Sequence, residues 1–212
     1  MITVLLVDDQ DLVRAGIKSL LSDIKDIQVI GEASNAKEAL QIVREQRPHV
    51  VLMEVRMPGI GGIETTRKLI QTHPQIKIIA LTMCDEEPFP SHMLKAGATG
   101  YLTKKSKLDE LIQAIHAVYQ GETYLSAAIA QQLALKNISN QNPSLFDALS
   151  TRELQVMLMI TSGQKVQNIS DKLCLSPKTV NTYRYRLFEK LKVHSDVALT
   201  HFAIRHGMAG YV

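Results

Sequence analysis

The chain has 212 residues, 45% of them hydrophobic, with two cysteines and a net charge of +3. That length suits two domains, each able to bury a core. No apolar run reaches the roughly 18–20 residues of a membrane span, and Met1 leads straight into Ile2–Val7 without a basic leader or a small-residue cleavage site. Cys84 and Cys174 lie far apart without metal-ligand spacing, so reduced thiols in a cytoplasmic protein with no membrane partner are expected.

In chain order, short β-branched runs alternate with amphipathic stretches at helical spacing. The strands read 2–7, 27–31, 49–53, 76–81 and 99–102; the helices lie near 11–22, 35–46, 62–72, 87–96 and 107–120. Five such βα units predict a doubly wound α/β domain with a five-stranded parallel sheet, its strands covered on both faces. Helical spacing continues over 126–136, and a polar, proline-containing stretch follows at 138–144 with the composition of a linker. After it only helical periodicity appears. The reading is a first domain over 1–122, a helical extension and linker over 123–146, and a small all-α domain over 147–212.

Ligands of open parallel sheets bind beyond the carboxyl ends of the strands. The predicted ends carry Asp8 and Asp9 on strand 1, Glu54 on strand 3, Thr82 on strand 4, and Tyr101 to Lys104 on strand 5. Three carboxylates on one rim repel one another unless a cation neutralises them, and Mg²⁺ held by oxygen ligands does so. Lys104 suits a phosphoryl oxygen, and Thr82 can donate a hydrogen bond to the same group. Each residue alone has a plainer reading: an acid near a helix start as an N-cap, a lysine facing solvent, a threonine as a β former. Together, at four strand ends, they point to one pocket.

Asp8-Asp9, an acid at position 54 followed by Met57-Pro58-Gly59, Thr82, and Gly100-Tyr101-Leu102-Thr103-Lys104 resemble the CheY-like receiver domain of two-component response regulators. The resemblance implies that a sensor histidine kinase or a phosphotransfer domain donates a phosphoryl group to the residue at position 54. It also implies Mg²⁺ held by Asp8, Asp9, that acid and the carbonyl of Arg56. Thr82 is then the switch hydroxyl, Tyr101 the switch aromatic and Lys104 the charge partner. The chain departs from the pattern at the acceptor itself, which is Glu54 rather than Asp. One methylene adds about 1.5 Å of reach, and misplacement on that scale costs ~100-fold in attack. Glu54 is therefore expected to accept phosphate poorly and to imitate the phosphorylated state in part, by pairing with Lys104 and Thr82.

The second half is basic. Residues 146–212 hold nine Lys/Arg against five Asp/Glu, whereas residues 1–145 hold fifteen against sixteen. A one-sided excess of this kind fits a nucleic-acid partner as well as a merely solvated face. Ser150 and Glu153 form a capping-box pattern that opens a helix, with Leu154, Met157, Leu158 and Thr161 along one face. A second short helix is expected over 166–174. Ser176-Pro177 then starts a third that runs to about Leu191, and a last one spans about 195–206. On the third, Val180, Tyr183, Leu187, Phe188 and Leu191 should face inward. Lys178, Asn181, Thr182 and Tyr185 recur at i, i+3, i+4 and i+7 as an opposite polar stripe, flanked by Arg184 and Arg186.

Leu149-Ser-Thr-Arg-Glu-Leu154, Ile169–Leu173, Ser176-Pro-Lys-Thr-Val180 and Lys190–Val193 resemble the LuxR-type helix-turn-helix over roughly 147–208, a four-helix domain. The resemblance puts the third helix in the major groove of double-stranded DNA, with Asn181, Thr182 and Tyr185 reaching bases. Lys165, Lys178, Thr179, Tyr183, Arg184 and Arg186 would mostly hold phosphates, and the active form would be a homodimer. The combined architecture is that of NarL/FixJ-type regulators. Pro88-Phe89-Pro90 and Ser176–Leu187 are most similar to the GacA/UvrY/LetA group, which implies control of small regulatory RNA genes and of virulence or life-cycle switching. Two other classes compete. A Mg²⁺-dependent phosphohydrolase also uses an acidic nucleophile, but places its acids as Asp-x-Asp on one strand and needs a substrate cap. A protein-binding adaptor would leave the basic half merely solvated. The expected mechanism is a population shift, in which the phosphoryl group draws on Thr82 and Lys104, pulls Tyr101 inward and remodels the 82–104 surface.

Overall fold

The computed structural model describes residues 1–139, 145–206 and 208. The chain divides into two compact units, Met1–Gln141 and Asn142–Val212. Most of the polar stretch read as a linker, 140–144, lies outside the described residues.

The first unit alternates β1 (Ile2–Val7), α1 (Asp11–Ser22), β2 (Ile27–Ala33), α2 (Ala36–Gln46), β3 (Val50–Met53), α3 (Gly61–Thr72), β4 (Lys77–Thr82), α4 (Phe89–Lys95), β5 (Gly100–Thr103) and α5 (Leu108–Tyr119). The strands lie in the order β2-β1-β3-β4-β5 and are all parallel. Val4, Leu6, Val50, Leu52, Ile79 and Leu102 are buried in its core, joined on one face by Leu111, Ala114, Ile115 and Val118 of α5. Their branched side chains explain why these runs carry no polar alternation: both faces are covered.

The sheet has six strands rather than five. After Gly121 turns the chain at φ +93°, β6 (Tyr124–Leu125) adds a parallel edge beside β5. Tyr124 N–H donates to the Thr99 carbonyl (3.0 Å) and Ser126 N–H to the Tyr101 carbonyl (3.1 Å). Two residues are too few to show a period, so this strand leaves no sequence signal. Then α6 (Ala127–Ser139) packs Ile129 into the same unit, at 1% exposure.

Register brings the pocket together. Val7 pairs with Met53, Met53 with Ala80, and Thr82 with Thr103. The next residues out, Asp8, Glu54 and Lys104, thus emerge beside Thr82 on one rim.

The second unit holds a 3₁₀ turn (Leu145–Ala148), α7 (Thr151–Thr161), α8 (Val166–Leu173), α9 (Pro177–Leu191) and α10 (Asp196–Arg205). Both halves of the Ser150–Glu153 capping box form, and the Ser176 side chain caps α9 through Thr179 N–H. Helix α7 is central. Leu154, Val156, Met157, Met159 and Ile160 are all buried, because α8, α9 and α10 pack around it. Leu158 and Thr161, and Tyr183 and Phe188 of α9, are half-buried rather than core.

Candidate functional site

The pocket is built from three buried side chains and one ammonium. Asp8 is 4% exposed, Glu54 5% and Thr82 0%. Lys104 Nζ lies 2.5 Å from Asp8 Oδ2 and 2.7 Å from Glu54 Oε2. The Thr82 hydroxyl donates to Glu54 Oε1, which also accepts the Arg56 N–H at 2.9 Å. Burial alone would lower the Lys104 pKa, but its hydrogen bonds to the two carboxylates outweigh that and raise it. The ammonium is therefore firmly held in its charged form.

The Asp8 side chain is no helix N-cap. Helix α1 begins after Gln10 without a side-chain cap, and Asp8 Oδ1 accepts the Gln10 N–H at 3.0 Å. Tyr101 is fully buried, and its hydroxyl donates to the carbonyl of Cys84. Cys84 N–H in turn donates to Thr82 Oγ1 at 3.2 Å. Tyr101 and Thr82 thus grip the start of one loop from two sides. Burial pushes the Tyr101 pKa far up, so the ring stays a neutral donor.

Asp9 does not join this cluster; it is exposed on the rim. Among the described residues, no three His, Cys, Asp or Glu side chains converge as a metal-holding group. The donor set still suits a hard dication in kind, since Asp8, Asp9 and Glu54 offer only oxygen and one ammonium leaves them net negative. An ion there would need Asp9 to turn in and Lys104 to share Asp8.

Two further residues position the pocket. Arg14 of α1 donates to the Asp8 carbonyl at 2.6 Å, and nothing in its i+3 spacing from Asp11 distinguishes it from a surface ion pair. Gly62 lets α3 start directly on the Glu54 backbone, where a Cβ would sit 2.0 Å from the Glu54 carbonyl oxygen. A Gly-Gly pair following Met57-Pro58-Gly59 was the available signal.

In the second unit the polar stripe of α9 forms as its spacing predicts. Lys178, Thr182, Tyr185 and Arg186 are exposed, Asn181 is half-exposed, and Lys165 stands exposed just before α8. Tyr185 is 64% exposed, with its ring edge-on to Phe188 at 6.4 Å. Three flanking residues are partly engaged within the unit. The Thr179 hydroxyl lies 2.8 Å from the Ser176 hydroxyl, Tyr183 is half-buried, and Arg184 Nε donates to Asp196 at 2.6 Å. The Arg184–Asp196 pair ties α9 to α10. Behind the stripe, Lys190 bonds Glu153 at 2.7 Å and the Ala148 carbonyl at 2.9 Å, fastening α9 to α7.

Residues 4–116 match the family described as response regulator receiver domain, and residues 147–203 match the bacterial regulatory proteins of the luxR family. Over 208 residues the chain is 60% identical to the response regulator GacA of Pseudomonas protegens, covering 98% of each. It is 54% identical over 209 residues to the response regulator UvrY of Escherichia coli, covering 98% of this chain and 96% of that one. A solved structure of RcsB from Salmonella enterica serovar Typhimurium, bound to promoter rprA in the presence of the phosphomimetic BeF3-, superposes with a TM-score of 0.74. Its identity is 25%, over 95% of this chain and 98% of that one. Receiver pocket and helix-turn-helix thus stand in one chain, which belongs to the LuxR-family response regulators of the GacA/UvrY type, two-component regulators of transcription that bind DNA.

Proposed function

We propose that this regulator accepts phosphate at position 54 poorly and rests in a state that partly imitates phosphorylation. The observation that carries this is the engagement of the Glu54 carboxylate by both the Thr82 hydroxyl and the Lys104 ammonium. Those two donors are the ones a phosphoryl group would recruit, and Tyr101 is already inward. The imitation is incomplete, because a carboxylate has less charge and fewer acceptor oxygens than a phosphoryl group. The kinase or phosphotransfer partner would dock at this rim, with Asp8, Asp9 and the Arg56 carbonyl holding Mg²⁺, which would neutralise an incoming phosphoryl group.

On the DNA side, Asn181, Thr182 and Tyr185 read base edges in the major groove. Lys165, Lys178, Thr179, Tyr183, Arg184 and Arg186 hold the backbone, and the active species is a cytoplasmic homodimer. The target genes follow those of the GacA/UvrY group, a broad regulatory role that includes virulence where the host organism has one.

Phosphotransfer from a labelled phosphohistidine domain tests the first claim. The chain should label ~100-fold more slowly than its Glu54→Asp variant, while binding duplex DNA in a Glu54-dependent way. Equal labelling of the two proteins defeats the reading.

A further inference from the structure

Helix α6 is the last described element before the second unit, and its inner face holds the loop that the pocket controls. The Gln132 amide, oriented by its hydrogen bonds, donates to the Asp85 carbonyl at 2.9 Å and accepts the Glu87 N–H at 3.2 Å. One turn on, Lys136 Nζ bonds Glu87 Oε1 at 3.0 Å and Ser91 Oγ at 3.3 Å. Ser91 completes the triangle by donating to the same Glu87 oxygen at 2.6 Å. The Glu87 side chain is only 13% exposed. Four groups of the 85–91 segment are thereby read by two side chains of one helix.

The other end of this segment belongs to the pocket. Glu54 accepts from Thr82, Thr82 accepts from Cys84 N–H, and Tyr101 donates to the Cys84 carbonyl. Asp85, the next residue, presents its carbonyl to Gln132. Hydrogen bonds at Thr82 and Cys84 and one peptide link to Asp85 therefore join the acceptor position to α6.

We propose that Gln132 and Lys136 are the receiver's output contacts: α6 stays clamped while Thr82 and Tyr101 hold the loop inward, and is released when they let go. The inference rests on the reading of Thr82 and Tyr101 as the switch residues. The coupling is an equilibrium property and must act in both directions. Loosening the pocket must loosen α6, and unclamping α6 must loosen residues 83–85.

Hydrogen exchange of the full chain, resolved by peptide, tests both directions. Thr82→Ala should raise exchange across 127–139 by about 5-fold or more, while α2 (36–46) stays at the parent level. Thr82→Ser, which keeps the hydroxyl, should leave α6 protected. Gln132→Ala with Lys136→Ala frees the Glu87 N–H directly, so the readout is the amides of 83–85, which should exchange faster by a similar factor. A merely structural tether gives a different pattern: α6 and Glu87 loosen in the double variant, but 83–85 does not move. That pattern overturns the proposal, as does an α6 indifferent to Thr82→Ala. Should Thr82→Ala unfold the unit, α2 exchange rises with the rest, and the double variant's effect on 83–85 decides alone. Failure of the phosphotransfer prediction appears in labelling and leaves these exchange patterns unchanged, so the two claims fall separately.

Discussion

Replacing Lys104 with Met removes one ammonium from two buried carboxylates. Its Nζ sits 2.5 Å from Asp8 and 2.7 Å from Glu54, and the three side chains are 10%, 5% and 6% exposed. Breaking a buried ion pair from one side costs about 3–5 kcal/mol, because the remaining charge is left uncompensated. Here two charges are orphaned, which pushes the cost up. Both keep other donors, however: Glu54 has Thr82 and the Arg56 N–H, and Asp8 has the Gln10 N–H. A net loss of about 3–4 kcal/mol follows, or a midpoint lowered by roughly 10 °C at about 3 °C per kcal/mol. Glu54→Gln in the same background removes one of the orphaned charges and should recover about 1–3 kcal/mol relative to additivity. Urea denaturation at pH 7, followed by circular dichroism across the four-protein cycle, measures this directly. A Lys104→Met loss under about 1 kcal/mol, the level of an exposed surface pair, with no coupling to position 54, refutes the account of the pocket as a closed ionic cluster.

The residues proposed to face DNA should separate by kind. Asn181→Ala or Tyr185→Ala should relax base preference at a cost of about 1–3 kcal/mol, whereas Lys178→Ala should weaken all duplexes alike and reduce the salt slope by about 1, as read by fluorescence anisotropy at several salt concentrations. Glu153 carries a pH signature: burial would raise its pKa, but Lys190 and the Ser150 groups prevail and hold it below the usual carboxylate range. Its contribution is then present above that range and lost as pH falls through it, so Glu153→Gln should flatten the acid limb of the second unit's stability, read by thermal melts at stepped pH. Gly62→Ala forces a Cβ into the Glu54 carbonyl oxygen. Overpacking of this kind costs about 1–3 kcal/mol, and labelling of the Glu54→Asp protein should fall when the substitution is added.

Much of this was readable from the chain because two periodicities change where the fold does. The Val/Ile/Leu runs at 2–7 and 49–53 are short and rich in branched residues, which favours covered strands over buried helix, and covered parallel strands place Asp8 and Glu54 side by side. The i, i+3, i+4, i+7 stripe of Lys178, Asn181, Thr182 and Tyr185 likewise fixed which face of α9 is wet. What escaped were contacts without periodicity. Asp9 looks equivalent to Asp8 in sequence, yet the chain bends at Asp9 ahead of α1 and leaves its side chain outside. Tyr183 and Phe188 have core spacing, yet both lie half-buried at the edge of the inward face, Phe188 against Tyr185 and Arg184. Tyr124-Leu125 form a strand only because β5 offers an unpaired edge, and Gln132 and Lys136 meet the 85–91 segment across more than forty residues. No local pattern encodes such a meeting.

A switch can be biased only by the difference between what a group gains in its two conformations. Moving an equilibrium from 1:99 to 99:1 needs about 5.5 kcal/mol of such difference. Hydrogen bonds to charged groups contribute about 1.5–3 kcal/mol each, so the Thr82 hydrogen bond and a Lys104 ion pair of comparable size on Glu54 together approach that requirement. They count only to the extent that the other conformation lacks them. Lys104 can stay on Asp8 in either conformation, since Asp8 directly follows β1 (Ile2–Val7), so the ammonium discriminates weakly. Thr82 has no such alternative partner among its described contacts, and its oxygen also accepts the Cys84 N–H. The hydroxyl, rather than the stronger charge pair, is therefore where the side chain at position 54 exerts its leverage. Thr82→Val, nearly the same shape without the hydrogen bond, should abolish the Glu54 dependence of DNA affinity while Lys104 keeps the pocket folded.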